Sequence, residues 1–584
     1  MAALENHQAH AQLLPLPRTR YRADAKAEIR SLVPVRSRRR RLGGPRAWFN
    51  TEAGSCKLCQ LNSSEPFVRR HRSRFLLTVV AALIVLSPHS ASAQASAYVP
   101  LDDIAYTYID ALMARASFRE LLVLQRPYTT RAIRAAIDSA RAREVGPAIS
   151  SYLDALGDAL RKYEVRPADM DTVATSTFRA RFTGDAYATA QSSGRRELMV
   201  ADSSSDVKPG VSLRMVLAGG PVVGAVRTIL DNRLNVDPEF AGRKDRKVAA
   251  RNEDGYVSGQ WKYGELAFGR VGRNWGPPAL YGLMLGNYAY TYDHLYGRIG
   301  TDKVNWSSVV TRLEDSVPPA GPSIQRFFSI HRIAIRVKNW ELAGSESYLY
   351  AGPGRSFEPS LVNPLNIYAL SWRNERQEGN LGLGVETALR LDRIGNFSGQ
   401  LFVDDLQVDK SCDPACKQPS SYAFSFAADG LPLGGDQRWF ASYVRVSNLA
   451  YRNKNPSENY TSFAISLGQS SSDYDEFRAG VDLALVPRAP LKVYVAHRRQ
   501  GEGNYNIPFP QPADYATTPG IFDGVVMGVT RLAVSGVGRF GDFELGGDLG
   551  FNHNTNDGHQ SGASRTSFEG RVKVAIEPRW SIAF

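Results

Sequence analysis

From about Thr175 to the C terminus, hydrophobic side chains recur at every second residue. This period persists over roughly 400 residues and limits the fold more than any other feature. Leu381, Leu383, Val385, Thr387, Leu389 and Leu391 alternate with Gly382, Gly384, Glu386, Ala388 and Arg390. Phe543, Leu545, Gly547, Leu549 and Phe551 alternate with Glu544, Gly546, Asp548 and Gly550, and Phe568, Gly570, Val572, Val574 and Ile576 with Glu569, Arg571, Lys573 and Ala575. Each stretch has one apolar and one polar or tiny face, over roughly the ten residues a membrane β-strand needs. A soluble sandwich also alternates. The barrel is favoured by the length of the pattern, by the lack of a second helical core layer within it, and by the ending Trp580-Ser581-Ile582-Ala583-Phe584, which resembles the terminal signal of outer-membrane barrels. Fifty glycines, 32 prolines, 26 tyrosines and 25 phenylalanines suit many short strands joined by turns. The predicted fold is an all-β transmembrane barrel of about 18 antiparallel strands, at roughly 22 residues per strand and connection, with 16 or 20 within reach. A small periplasmic α-helical domain is expected to precede it.

The N-terminal end reads differently. Arg69-Arg70-His71-Arg72-Ser73-Arg74, the apolar run Phe75 to Leu86 and Ala91-Ser92-Ala93 make a secretory signal peptide over 68–93, cleaved after Ala93. Residues 1–67 lack apolar period and read as a non-native or disordered extension from a mis-assigned start, with translation expected near Val68. On that reading the Cys56-x-x-Cys59 spacing carries no meaning. Residues 1–93 hold 16 Lys or Arg against 5 Asp or Glu, and the rest 55 against 53. The net charge of +13 therefore belongs to the leader, and no nucleic-acid partner is expected.

Residues 94–170 form the expected helical part. Ile104, Tyr108, Ile109, Leu112 and Met113 recur at helical spacing, as do Ile133 and Ile137, then Leu153, Leu156 and Leu160; Pro127 interrupts, and Thr129 or Thr130 can cap. Such short helices need a partner surface. Residues 171–584 form the barrel. Its early connections alternate long (194–209, 232–254) with tight (219–221, 263–264), the outside-loop, inside-turn asymmetry of these barrels, which places the segment after Arg273 at the extracellular end. Whether Glu577-Pro578 turns the chain or interrupts a long last strand is open. Cys412 and Cys416, in an exported chain, are a small-loop disulfide candidate.

Gly272-Arg273-Asn274-Trp275-Gly276-Pro277-Pro278 followed by Leu283-Met284-Leu285-Gly286-Asn287 resembles the W-G-P-G then L-L-L-S-N signature of the Wzi family of capsule-assembly proteins, with Pro278 and Gly286 departing from it. Further segments match in the same order: Ser329-Ile330-His331-Arg332, Ser345-Glu346-Ser347, Tyr350 to Arg355, Leu361 to Leu365, Asp404 to Gln407, Val444-Arg445-Val446 with Tyr451, and Arg498 to Glu502. The resemblance spans about 100 to 505. It implies an outer-membrane barrel with a periplasmic helical bundle, acting as a lectin that tethers capsular polysaccharide at the cell surface.

Sugar recognition needs aromatic faces and charged or amide hydrogen-bonding groups. The connection 273–298 offers Arg273, Trp275, Tyr281, Tyr290, Tyr292 and Asp293, with Tyr288 and Tyr296 beside them. The same residues also suit an interfacial girdle or packing. Glu346, Asp404, Asp405 and Glu502 are expected to pair inside the lumen with Arg332, Arg355, Arg498 and Arg499, rigidifying and closing the barrel. No H-E-x-x-H, Walker loop or G-x-S-x-G occurs, so neither metal, cofactor nor catalytic residue is assigned. The expected partners are capsular or other surface polysaccharide and outer-membrane lipid, for a monomer. A diffusion porin is the alternative, and an outer-membrane enzyme a more distant one.

Overall fold

The computed structural model describes residues 95–584 apart from 144, 166–177, 201–204, 319–320, 376–377, 406–410, 412–413, 579–581 and 584. The extension, the signal peptide with its cleavage site, Cys412 and the terminal Phe584 lie outside the described residues.

Each long strand pairs antiparallel with the next in sequence, from Arg179–Gln191 to Ser564–Ile576, and the first pairs with the last (Ala186 opposite Ile576, Gln191 opposite Arg571). The result is a closed 18-strand barrel. After Glu577-Pro578 the chain pairs with the same first strand again, Ile582 opposite Phe182 and Ala583 opposite Arg181, at a two-residue offset. Glu577-Pro578 thus interrupts one long last stave, as a residue without an N–H must.

What separates this barrel from a sandwich is which face is buried. On Asn380–Leu391, Leu383 and Val385 are 40% and 59% exposed while Glu386 and Ala388 are buried; on Phe543–Thr555, Leu549 and Phe551 point out and Asn552 and Asn554 in. The apolar set covers the outer wall all round and the polar set lines the lumen, the arrangement a bilayer demands. Tight turns such as Lys262-Tyr263, Lys338-Asn339 and Gly541-Asp542 occupy one rim, and the long connections, including 192–205, 232–249 and 271–292, the other. In such barrels short turns gather at the periplasmic rim and long connections at the outer one. Among the described residues no helix is long and apolar enough to cross a membrane.

Among the described residues, three α-helices precede the barrel. α1 (Ala105–Ala114) buries Tyr108, Ile109, Leu112 and Met113; α2 (Thr130–Arg141) buries Ile133, Ala136, Ile137 and Ala140; α3 (Pro147–Leu160) buries Tyr152, Leu153, Leu156 and Leu160. The Thr129 hydroxyl accepts the Ala132 amide at 3.3 Å, capping α2, and Pro147 opens α3 where a missing N–H costs nothing. These faces form one core, and the partner surface the helices need is the tight-turn rim. Arg115 pairs with Asp482 (2.7 Å), Arg488 with Asp158 (2.5 Å), and Tyr108 donates to the Arg488 carbonyl (2.6 Å). Lys162 Nζ sits 2.8 Å from Asp103 and 3.2 Å from Glu577, whose same oxygen lies 2.6 Å from Arg539. Helices and barrel belong to one compact unit, and the expected boundary at residue 170 lies outside the described residues.

The stretch between α1 and α2 enters the lumen. Val123 donates its amide to Glu341 (2.8 Å), Arg390 donates to the Phe118 and Leu121 carbonyls (3.0 and 2.8 Å), and Arg126 exchanges backbone hydrogen bonds with Asn274 (3.0 and 3.1 Å). Asn274 belongs to the long connection 271–292, so segments from the two ends of the barrel meet inside it.

Candidate functional site

The connection 271–292 is at the outer end, as its parity indicates, but it folds inward. The Trp275 amide donates to the Leu285 carbonyl (2.8 Å), and Gly276 to Leu124 (3.1 Å). Gln400, on the wall, donates to the Trp275 carbonyl (2.8 Å) and accepts the Leu283 amide (3.2 Å). Tyr451 and Tyr460, from the connection 447–473, donate to the Leu283 and Met284 carbonyls, both at 2.8 Å. The two motifs that carry the family resemblance are therefore the paired halves of a lumenal plug. Trp275 is 1% exposed and packs with Leu283, Met284, Leu285, Phe402, Tyr451 and Tyr460. The backbones approach so closely that a Cβ on Gly468 would stand 2.2 Å from the Leu283 carbonyl oxygen, and one on Gly282 2.3 Å from those of Leu285 and Trp275.

This overturns one expectation. Trp275 offers no face to a surface sugar, because burial among plug and wall residues brings it far more apolar contact than an exposed loop could. Arg273 is buried too: its Nε donates to His294 Nε2 (2.9 Å) and its guanidinium lies 3.5 Å over the Tyr296 ring and 5.3 Å over Tyr98. Asp293 is exposed and pairs with Arg270 at 2.9 Å.

The tyrosines of the same connection gather around a cavity of about 340 Å³ on the lumenal side of the first strands. Its wall includes Tyr281, Tyr288, Tyr290 and Tyr292, with Arg196, Arg227, Arg233 and Arg571 facing Asp231, Asp237, Glu253 and Asp254. Most charges are matched: Arg227 with Asp102 and Asp254 (2.8 and 2.7 Å), Arg233 with Asp231 (2.6 Å), Arg196 with Glu239 and Asp237 (2.9 and 3.6 Å). Arg571 is different. It donates to the Arg195 carbonyl (2.6 Å) and makes no ion pair among the described residues. Arg196 lies 4.4 Å over Tyr288 and 4.5 Å over Tyr290, and Arg251 4.4 Å over Tyr290, so Tyr290 is already packed against two guanidiniums. Among the described residues no cation lies over Tyr281 or Tyr292. Burial pushes the Tyr281 phenol up to about 12 and, with Glu197, Glu239 and Asp237 nearby, those of Tyr288 and Tyr290 higher still, so all three stay neutral donors. A volume of this size is at the low end of the range for small-molecule sites, about 300–1,000 Å³. Its lining offers phenols, guanidiniums and carboxylates to a small polar ligand.

The expected lumen ladder exists with other partners. Arg332 pairs with Glu386 (2.9 Å), Arg498 with Glu476 and Glu197 (2.8 and 2.7 Å), Arg499 with Asp475 (2.5 Å) and Arg355 with Glu358 (2.6 Å). Glu346 lies 3.4 Å from His331; Asp404 accepts from Ser421 and the Tyr451 amide (3.1 and 3.0 Å), Asp405 from Gln418, and Glu502 from the Val525 amide (2.9 Å). None of the four expected carboxylates meets any of the four expected arginines. Strand register decides this, since it sets Arg498 opposite Glu476, Arg499 opposite Asp475 and His331 opposite Glu346. Glu346 and His331 share the outer wall, as do Arg499 and Asp475 by their alternation with Val495 and Phe477, while Arg355 sits in a connection, so none of these belongs to the lumen. Cys416 is disulfide-bonded.

Sequence reading missed Arg196, Arg233, Asp237 and Glu239, which lie in connections taken only as loops, and Arg571, on the polar face of the last strand. The available signal was the charge of those two connections, unusual for chain exposed beside a tyrosine-rich neighbour.

A plugged barrel with an apolar outer belt is the class the geometry defines, an outer-membrane β-barrel fold. No family model matches the sequence, and no curated protein is similar to it. Among solved structures it is similar to Wzi of Escherichia coli, an outer-membrane protein involved in group 1 capsule assembly and described as a carbohydrate-binding β-barrel. The TM-score is 0.56 at 13% identity, covering 83% of this chain and 100% of that one. It is also matched to OprD of Pseudomonas aeruginosa (TM-score 0.39, 12% identity, 71% and 100% covered) and to the outer-membrane channel DcaP of Acinetobacter baumannii (0.33, 11%, 70% and 100%). At these identities the likeness is one of fold.

Proposed function

We propose that this protein resides in the outer membrane as a monomer, belongs with the Wzi family, and binds surface polysaccharide to help assemble or tether a capsule. The observation that carries the reading is the tyrosine- and arginine-lined cavity held behind a plug. A lumen occupied from both ends, with a polar pocket behind the plug, suits holding a glycan better than passing solutes. The role is binding, with no catalytic step. Tyr281, Tyr292 and Arg571 are the groups with faces or donors left to offer, and they replace Trp275 as the residues expected to touch sugar. The test is the Tyr281→Ala, Arg571→Gln double variant, read as cell-bound against released polysaccharide, with heat-modifiable gel mobility as folding control. Losing an aromatic contact costs about 1 kcal/mol, and repetition along a multivalent polymer amplifies it. Retention is expected to fall while mobility is unchanged. Full retention by a folded variant, together with porin-scale conductance of the unmodified protein in planar bilayers, would replace this reading with a diffusion channel.

A further inference from the structure

The connection between Trp340–Pro353 and Asn380–Leu391 does not fold inward like the plug. It carries two short helical turns, Pro359–Val362 and Tyr368–Asn374, and lies against the outer wall. Side-chain parity fixes the face. Along Trp340–Pro353, Trp340 and Leu342 point outward and are exposed, and the later outward positions are Glu346, Tyr348 and Tyr350. Those last two are fully buried, in a cluster with Phe327, Leu361 and Tyr368. The Tyr368 amide donates to Glu346 (2.7 Å), and the Tyr368 ring centroid lies 4.4 Å from that of His331. The turns therefore form a flap covering an outward-facing aromatic and polar patch.

The flap begins where the lipid-facing belt stops. Going outward along Ile324–Val337, the exposed apolar positions Val337, Ile335 and Ile333 are followed by His331, Ser329 and Phe327, all buried. Along Asn380–Leu391, exposed Val385 and Leu383 are followed by half-buried Leu381, packed against the flap's cluster. The flap's own outer side is apolar again: Leu365 is 70% exposed, Leu370 52%, Ile367 51% and Trp372 49%. Four large apolar side chains within eight residues are far from what a water-facing connection tolerates, and they continue the belt without a break.

We propose that the flap, residues 356–374, is a membrane-interface element whose Leu365, Ile367, Leu370 and Trp372 insert among acyl chains of the outer leaflet, sealing the His331–Glu346 pair from lipid. Tyrosine and tryptophan with flanking aliphatics are the residues that settle at such an interface. Continuity with the belt selects lipid as the occupant. A second copy of the chain is the competing occupant.

The full barrel, reconstituted in phosphatidylcholine vesicles, carries a nitroxide at Leu370→Cys or, separately, Ile367→Cys. Collision with oxygen is compared with collision with a water-soluble nickel complex, against Val385→Cys in the belt and Lys454→Cys in an outer connection as references. The expected ratio of oxygen to nickel accessibility at both flap sites matches the belt reference and lies several-fold above the loop reference. A ratio matching the loop reference overturns the proposal in favour of a water-exposed flap. Protection from both reagents overturns it in favour of a protein contact. Quenching by acyl-brominated lipid supplies a reading without cysteine: Trp372→Phe should reduce the quenched fraction, and an unchanged fraction counts against lipid contact.

Discussion

Replacing Trp275 by Ala tests whether the plug, rather than the wall, keeps the lumen closed. Trp275 is fully buried, and among the described residues its indole N–H has no hydrogen-bond partner, so the substitution removes packing together with the contact of the Arg332 guanidinium, 5.8 Å over its ring. Truncating a buried tryptophan to alanine costs about 3–5 kcal/mol, because neighbours only partly refill the space. Here those neighbours are Phe402 and Tyr451, stacked with centroids 5.4 Å apart, and Tyr460, each also held by other contacts. The barrel's ladders do not pass through Trp275, so the cost falls on the seating of 271–292 against 447–473. At about 1.4 kcal/mol per tenfold, the unseated population rises by about two to four orders of magnitude. The assay is single-channel recording in planar bilayers, with heat-modifiable mobility reporting the wall. Brief openings are expected in Trp275→Ala against a quiet unmodified protein, at unchanged mobility. A variant as quiet as the parent would show that the lumen is closed elsewhere, and one that fails to form a barrel would show that plug and wall fold as a single unit.

Two further outcomes follow from the ion pairs. Glu386→Ala leaves the Arg332 guanidinium, 2% exposed, without its carboxylate, a loss of about 3–5 kcal/mol that should lower the temperature of heat modification; an unchanged temperature would mean that Arg332 finds another acceptor. Burial pushes the Asp103 carboxyl up, but Lys162 at 2.8 Å, the Tyr163 hydroxyl at 2.6 Å and the Ala105 amide at 2.9 Å outweigh it and hold the group below the usual carboxylate range. A depressed native value stabilises fully above the unfolded value of about 3.9 and is lost as pH falls from there through the native one. Hydrogen exchange should therefore show α1 and α3 loosening in acid before the barrel ladders, and Asp103→Asn should remove that pH dependence; equal acid loosening in the variant would place its origin in another group.

The barrel was legible because its cause is local. Leu383 and Val385 must sit on one face of a strand whatever lies beside it, and the repeated pattern leaves few places for it except a bilayer. Loop parity was legible for the same reason and put 271–292 at the rim of the long connections, where the structure has it. Its inward fold was not, since alternation stops at the rim and only the glycines at 276, 282 and 286 hinted at close backbone packing. Partner identity was least legible. Arg332 reaches Glu386 past an intervening strand, and nothing in either residue's neighbourhood along the chain records that register. Tyr281, Tyr290 and Tyr292, neighbours along the chain, line one cavity, yet Arg571, which faces them across it, sits nearly 300 residues later and meets them because the barrel closes.

Closure also gives the helices a timing. Lys162 shares its charge with Asp103, its own neighbour in the helical part, and with Glu577, at the break in the last stave. Glu577 reaches it only when the last strand lies beside the first. Until that seam zips, the ammonium has half its counter-charge and the helical layer has no complete berth; afterwards the seam and the lid hold each other shut. The least regular point of the barrel's ladder thus doubles as its latch.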